Sequence, residues 1–207
     1  MKTLNTNISD ISFIQRECDK DGRPQRNRCG RDFIYYTLNF YNKEKFNSTT
    51  NNPVDLEVSH SLGMRLPWWL MWTQLQFLFL PGFLKREHLE LTINGRLIGS
   101  FFVLLTTLSW PRKSNVHDRI TEIERAVDGG YALGIDISLG LGGLLDHVMF
   151  VYGYDEGNLY VFDSHQVPNL EYEKITSDTR FFMKLPKSIV VKRWSGYGRV
   201  WVVKRRI

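Results

Sequence analysis

His147-Val148-Met149-Phe150-Val151-Tyr152-Gly153-Tyr154-Asp155 is followed, after Glu156-Gly157-Asn158, by Leu159-Tyr160-Val161-Phe162-Asp163. Two runs rich in β-branched and aromatic residues, broken by an Asp- and Gly-containing turn, predict an antiparallel hairpin. A three-residue loop at Asp155–Gly157 pairs Tyr154 with Asn158. His147 then lies opposite His165, with Asp163 on the same face one diagonal step away, about 7 Å between α-carbons. A two- or four-residue loop reverses that parity unless a bulge restores it.

Working outward, Tyr131–Leu139 reads as a neighbouring strand. Before it, His117–Asp128 is an amphipathic helix with Ile120, Ile123, Ala126 and Val127 on one side and Gly129-Gly130 as its stop. After it, Ser188–Trp194 and Arg199–Val203 read as a second hairpin, turned at Ser195–Gly198. The first half reads mainly as helix. Phe33, Tyr36, Thr37, Phe40 and Tyr41 recur at helical spacing within Cys29–Tyr41. Pro67 suits the first turn of a helix running to Phe79, and Pro81 interrupts it before a shorter helix toward His88. Leu89–Ile93 is a short strand ending at Asn94-Gly95, and Ile98–Leu108 an apolar helix. Helices first and an antiparallel sheet last predict a single α+β domain over 1–207, with 28–110 mainly helical and 117–207 a helix plus sheet.

The 207 residues are 43% hydrophobic, 14% aromatic and 24% charged, a composition that excludes disorder as the main state. Two cysteines, Cys18 and Cys29, cannot staple a chain of this length. Met1–Asp21 holds no apolar run of the secretory kind, which predicts a reducing, cytoplasmic setting. Leu66–Leu84 is interrupted by polar residues and Leu97–Trp110 is short for a bilayer, so no membrane span is expected. The net charge is +5, yet it is local. Eight basic residues and no acidic one follow from Lys184 onward, and 19 basic residues are outnumbered by 22 acidic ones elsewhere. That end can touch nucleic acid or an anionic surface; with no nucleic-acid motif beside it, it reads as a solvated strand face and tail.

Three positions carry chemistry. Cys29 stands at a helix start with Arg26, Arg28 and Arg31 around it, where the helix dipole and the cations favour a thiolate. An inert buried cysteine is the alternative. His147 opens a strand after a glycine-rich turn, and Asp163 closes the partner strand, where it can fix the imidazole's tautomer.

Cys29-Gly30 at a helix start, the run His147–Asp155, and Val161-Phe162-Asp163, with a spacing of sixteen from His147 to Asp163, resemble the C39-like branch of the papain-like cysteine peptidases. The likeness extends over Thr121–Asp163 and the surroundings of Cys29. It implies a papain-like fold, Cys29 as nucleophile, His147 as general base and acid, Asp163 as its orienting partner, and a peptide or small amide or acyl substrate. The family's oxyanion-binding glutamine has no counterpart at the usual spacing: Arg23 stands there, and Gln25 is the nearest candidate, with Asn27 a further amide. Gln15 is too distant. Ser164-His165 replaces the family's usual Asp-Pro, and His165 reads as a turn residue rather than a substrate contact.

No phosphate loop, dinucleotide fingerprint or metal-ligand spacing is present, so neither cofactor nor metal is expected. The leading expectation is a cysteine peptidase or amide hydrolase. An acyltransferase on the same fold and a catalytically silent peptide-binding protein are the alternatives.

Overall fold

A computed structural model describes residues 1–4, 29–44, 80–97, 116–140, 145–163, 173–174, 182–194 and 199–207. Its helices are α1 (Cys29–Tyr41), α2 (Leu80–Arg86), α3 (Val116–Asp128) and α4 (Lys187–Arg193). Its strands are β1 (Lys2–Thr3), β2 (Leu89–Ile93), β3 (Arg96–Leu97), β4 (Ala132–Gly140), β5 (Leu145–Tyr154), β6 (Asn158–Phe162), β7 (Glu173–Lys174), β8 (Phe182–Pro186) and β9 (Arg199–Arg205). They form one sheet in the order β3-β2-β9-β4-β5-β6-β8-β7, with β1 beside the end of β5. Every pairing is antiparallel. The mixed helix and antiparallel sheet make this an α+β fold.

The two faces of the sheet differ in chemistry. Phe150, Phe162 and Trp201 point toward α1, where Phe33 meets Phe150 and Trp201, and Tyr36 meets Phe150 and Phe162. Phe182, Tyr152 and Tyr160 extend this aromatic layer. Side chains alternate along a strand, so Leu133, Ile135, Ile137, Met149, Val151, Val161, Val200 and Val202 face the other way, and all are buried. That aliphatic face is the side of α3 and α4: Tyr154 donates its hydroxyl to Asp128 Oδ1, Lys187 donates to Glu124 Oε1, and the Arg119 guanidinium lies over the Trp194 ring.

Tyr41 fixes the direction of α1. Its hydroxyl donates to Val203 O at 2.5 Å and accepts from Ala132 N at 3.2 Å. The C-terminal end of α1 therefore sits where β4 begins, and Cys29 is at the end toward which β4 runs.

The β5–β6 hairpin departs from the expected pairing and then recovers it. Tyr154 pairs with Leu159, not Asn158, so the loop is one residue longer than expected. The extra step is taken up at Tyr152, between the pairs Val151↔Val161 and Gly153↔Tyr160. This bulge returns Phe150 opposite Phe162, which is the parity a three-residue loop would have given.

Ser188–Trp194, expected as a strand, is helical instead, and β9 pairs with β2 and β4 rather than folding back on it. Val190 and Trp194, one helical turn apart, are fully buried, and Trp194 N bonds to Val190 O. β-branched residues lose up to about 0.7 kcal/mol each in a helix relative to Ala. Burying a large apolar side chain gains about 1.5–3 kcal/mol, and burial wins. β1, near the N-terminus, lies outside the region read as sheet, and β7 and β8 lie within that region but carried no strand assignment. Leu89–Ile93 is a strand as expected, and Asn94-Gly95, both at positive φ, turns β2 into β3. The helices expected at Pro67–Phe79 and Ile98–Leu108 and the turn at Ser195–Gly198 lie outside the described residues. Among the described residues no helix is long and apolar enough to cross a membrane.

Candidate functional site

His147 and Asp163 meet as a buried pair. The imidazole Nε2 lies 2.7 Å from Asp163 Oδ1, with side-chain exposures of 5% and 0%. β5 and the end of β6 bring them together, through the parity that the Tyr152 bulge restores. A carboxylate so deeply buried needs a donor, and the ring supplies one from Nε2–H. In the neutral imidazole Nδ1 is then the basic nitrogen.

The face is decided by alternation. Phe150 points to α1, and the β4–β5 ladder runs without a break from Gly134↔Phe150 to Ile137↔His147. His147 therefore belongs to the aliphatic face, opposite α1. Asp163, next to the α1-facing Phe162, lies on that same aliphatic face. The last β5–β6 pair toward this end is Phe150↔Phe162.

Cys29 is the first residue of α1 and stands at the His147 end of the sheet, on the aromatic face. Gln25, the expected oxyanion donor, lies outside the described residues, as do Cys18, Arg23, Asn27 and His165. Thus the structure joins His147 to Asp163 and puts α1 on the other side of the sheet.

Sequence reasoning missed a second buried pair. Asp136 on β4 and Arg199 on β9 are register partners, with Arg199 Nη1 3.2 Å from Asp136 Oδ2. Burial pushes the Asp136 carboxyl above the usual carboxylate range, against the pull of the Arg199 charge. The available signal was a lone acid in the apolar stretch Ala132–Leu139, and a lone arginine opening Arg199–Val203. Among the described residues no three or more His, Cys, Asp or Glu side chains gather as a metal would require. Two clefts among the described residues lie at the other end of the sheet. One of about 410 Å³ runs between Tyr41, His88 and Arg205, and one of about 830 Å³ runs between Tyr41, Tyr131 and Lys204. Neither includes His147 or Asp163.

Comparison with protein-family models, with curated proteins and with solved structures finds no match.

Proposed function

We propose that the chain is a cysteine peptidase or amide hydrolase of papain-like organisation, acting through Cys29, His147 and Asp163. The observation that carries this reading is the buried hydrogen bond from His147 Nε2 to Asp163. It orients the ring and assigns proton exchange to Nδ1. The orientation of α1 adds support, since its Cys29 end and the imidazole share one end of the sheet.

In this mechanism His147 Nδ1 takes the proton of the Cys29 thiol, and the thiolate adds to a substrate carbonyl. The carbonyl electron pair moves to oxygen, where the Gln25 amide is the proposed donor. Collapse expels the amine with the proton returned by His147 and leaves an acyl-enzyme. Water resolves it as a hydrolase, or a second amine as an acyltransferase. The test is labelling of the intact chain with iodoacetamide at mildly acidic pH. Cys29 should react ahead of Cys18, and His147→Ala should abolish that preference. Equal labelling of the two thiols, unaffected by His147→Ala, overturns the reading.

A second reading is a catalytically silent peptide-binding protein. It is favoured by one observation: α1 and the His147–Asp163 pair lie on opposite faces of the sheet. The same labelling experiment separates the two.

A further inference from the structure

Lys204 and Arg205 close β9, Arg206 follows, and none of the three has a role in the mechanism just described. They stand at the far end of the sheet: β9 reaches β4 there at Val203↔Ala132, whereas His147 pairs with Ile137. Among the described residues their side chains form no ion pair. Along the chain they are a bare run of charge. The fold sets aromatic rings beside them.

Several segments meet at this end. The Tyr41 hydroxyl ties the end of α1 to β9 and to the start of β4. Arg206 N donates to His88 O, just before β2. α3 stops at Gly129-Gly130, with Gly130 at positive φ, and delivers Tyr131. Lys204 Nζ lies over the Tyr131 ring, 4.7 Å from its centroid, and the Arg205 guanidinium lies 5.9 Å from the Tyr41 centroid. Arg205 Nη2 also donates to Tyr41 O at 3.0 Å, and Phe40 meets Tyr41 edge-on with centroids 4.9 Å apart. Successive β9 side chains point to opposite faces, so Lys204 belongs to the α3 side and Arg205 to the α1 side. Arg205 and Tyr41 form the wall shared by the two clefts. Half-buried Phe40 and Tyr131 line the cleft of about 830 Å³ with Lys204, and His88 and Arg206 line the one of about 410 Å³.

We propose that this end of the sheet binds single-stranded nucleic acid, with phosphates on Lys204, Arg205 and Arg206 and bases stacked on Phe40 and Tyr131. Cations alone serve any anion. Cations interleaved with partly exposed rings fit a ligand in which charge and flat apolar surface alternate. A duplex keeps its base faces inside the stack, so the rings select an unpaired strand. The acids nearby set the strength. Glu90 lines the larger cleft opposite Lys204 in the β2–β9 ladder, Glu87 lines the smaller one, and Glu122 on α3 stands within electrostatic range of Lys204. Three cations set against these acids predict modest affinity, a Kd on the order of 1–100 µM. The Glu90 carboxylate is suited to accept from the exocyclic amino group of a base. Nothing in this binding involves Cys29 or His147.

The experiment is fluorescence anisotropy of a dye-labelled oligothymidylate titrated with the full chain at several KCl concentrations. Log affinity should fall against log salt with a slope of about −2, at about 0.7 for each phosphate neutralised. Lys204→Gln, Arg205→Gln and Arg206→Gln should each flatten that slope by about 0.7. Tyr131→Ala and Phe40→Ala should each weaken binding about 5- to 150-fold and leave the slope in place. Tyr131→Phe, which keeps the ring, should bind as the wild type does, and so should His147→Ala. Should Phe40→Ala fail to fold by circular dichroism, the charge variants and the Tyr131→Ala and Tyr131→Phe pair carry the test. No saturable binding at low salt overturns the proposal. So does a slope that the three charge variants leave unchanged, since the strand would then lie elsewhere. Competition by duplex DNA or polyglutamate as strong as by unlabelled oligothymidylate, or indifference to loss of the rings, shows a general anion surface and overturns it. Sedimentation with phosphatidylserine vesicles in the absence of oligonucleotide binding gives the patch to a membrane and overturns it too.

Discussion

Phe33 of α1 rests on Gly134 of β4, where a side-chain carbon would stand 2.7 Å from Phe33 Cε2. The missing side chain lets the helix approach the sheet at the point where Phe150 and Trp201 flank the same ring. Through this contact the level of Cys29 along the sheet is set. Gly134→Ala should destabilise the fold by about 1–3 kcal/mol through overpacking. Phe33→Leu should recover part of that loss in the double variant. Urea unfolding measures both, and an unchanged midpoint in Gly134→Ala would mean that α1 is not seated there.

Asp163→Ala should remove the acceptor that faces the buried His147 Nε2. The cost is about 1–3 kcal/mol for an unsatisfied polar group, and Asp163→Asn, which keeps an acceptor, should cost less. Denaturant titration checks the order. Equal stability of all three proteins would show that the pair does not hold the fold.

If the chain is a cysteine hydrolase, Cys29→Ala should abolish turnover and leave the circular dichroism spectrum unchanged. Asp163→Ala should be milder, because it removes orientation and not the nucleophile. Gln25→Ala should lower kcat by about 10²–10³ if its amide reaches the oxyanion, and should be silent if it does not. Full activity of Cys29→Ala on the natural substrate would hand the site to the binding-protein reading.

Asp155 caps the β5–β6 loop and gives the hairpin an acid limit. The Tyr160 hydroxyl, foremost, holds its carboxyl down to about 2 from an ordinary 3.8, with Asn158 and Gly157 adding bonds. A carboxyl depressed on folding contributes stability above its unfolded pKa and loses it as pH falls through the folded one. Thermal midpoints of the wild type and Asp155→Asn should thus differ above about pH 4 and converge toward about pH 2. Tyr160→Phe should move that convergence to higher pH. A constant gap across the range would exclude the linkage.

Tyr41→Phe removes the hydroxyl that joins β4 and β9 to the end of α1. It leaves Val203 O and Ala132 N without that partner, at a cost of about 1–3 kcal/mol. Hydrogen exchange should speed up at the Ala132 amide first. Protection unchanged there would show that water takes over the role of the hydroxyl.

Local periodicity made much of the fold legible. Cys29–Tyr41 and Val116–Asp128 are helices because apolar residues recur at three and four. Leu89–Ile93 is a strand closed by Asn94-Gly95, whose residues take positive φ. For Lys187–Arg193 the same reasoning failed, since Ile189, Val190 and Val191 favour a strand locally. Only the burial of Val190 and Trp194 makes the segment a helix. Of the candidate site, His147 and Asp163 could be paired from sequence because both lie on one hairpin. Asp136 and Arg199 are 63 residues apart and meet only through the ladder between β4 and β9.

By itself, the sequence determined which segments are helical or extended at most described positions, and that His147 and Asp163 belong to one hairpin. Both are properties of short-range spacing. Only the tertiary structure decided that the hairpin loop is a residue longer and that a bulge at Tyr152 cancels the change. Only it decided that α1 covers the aromatic face while the imidazole lies on the aliphatic one. A strand's alternation says which residues are on the same side but never which side a distant helix will cover. That choice was made by aromatic packing of Phe33 and Tyr36 onto Phe150, Phe162 and Trp201, and by the space left at Gly134.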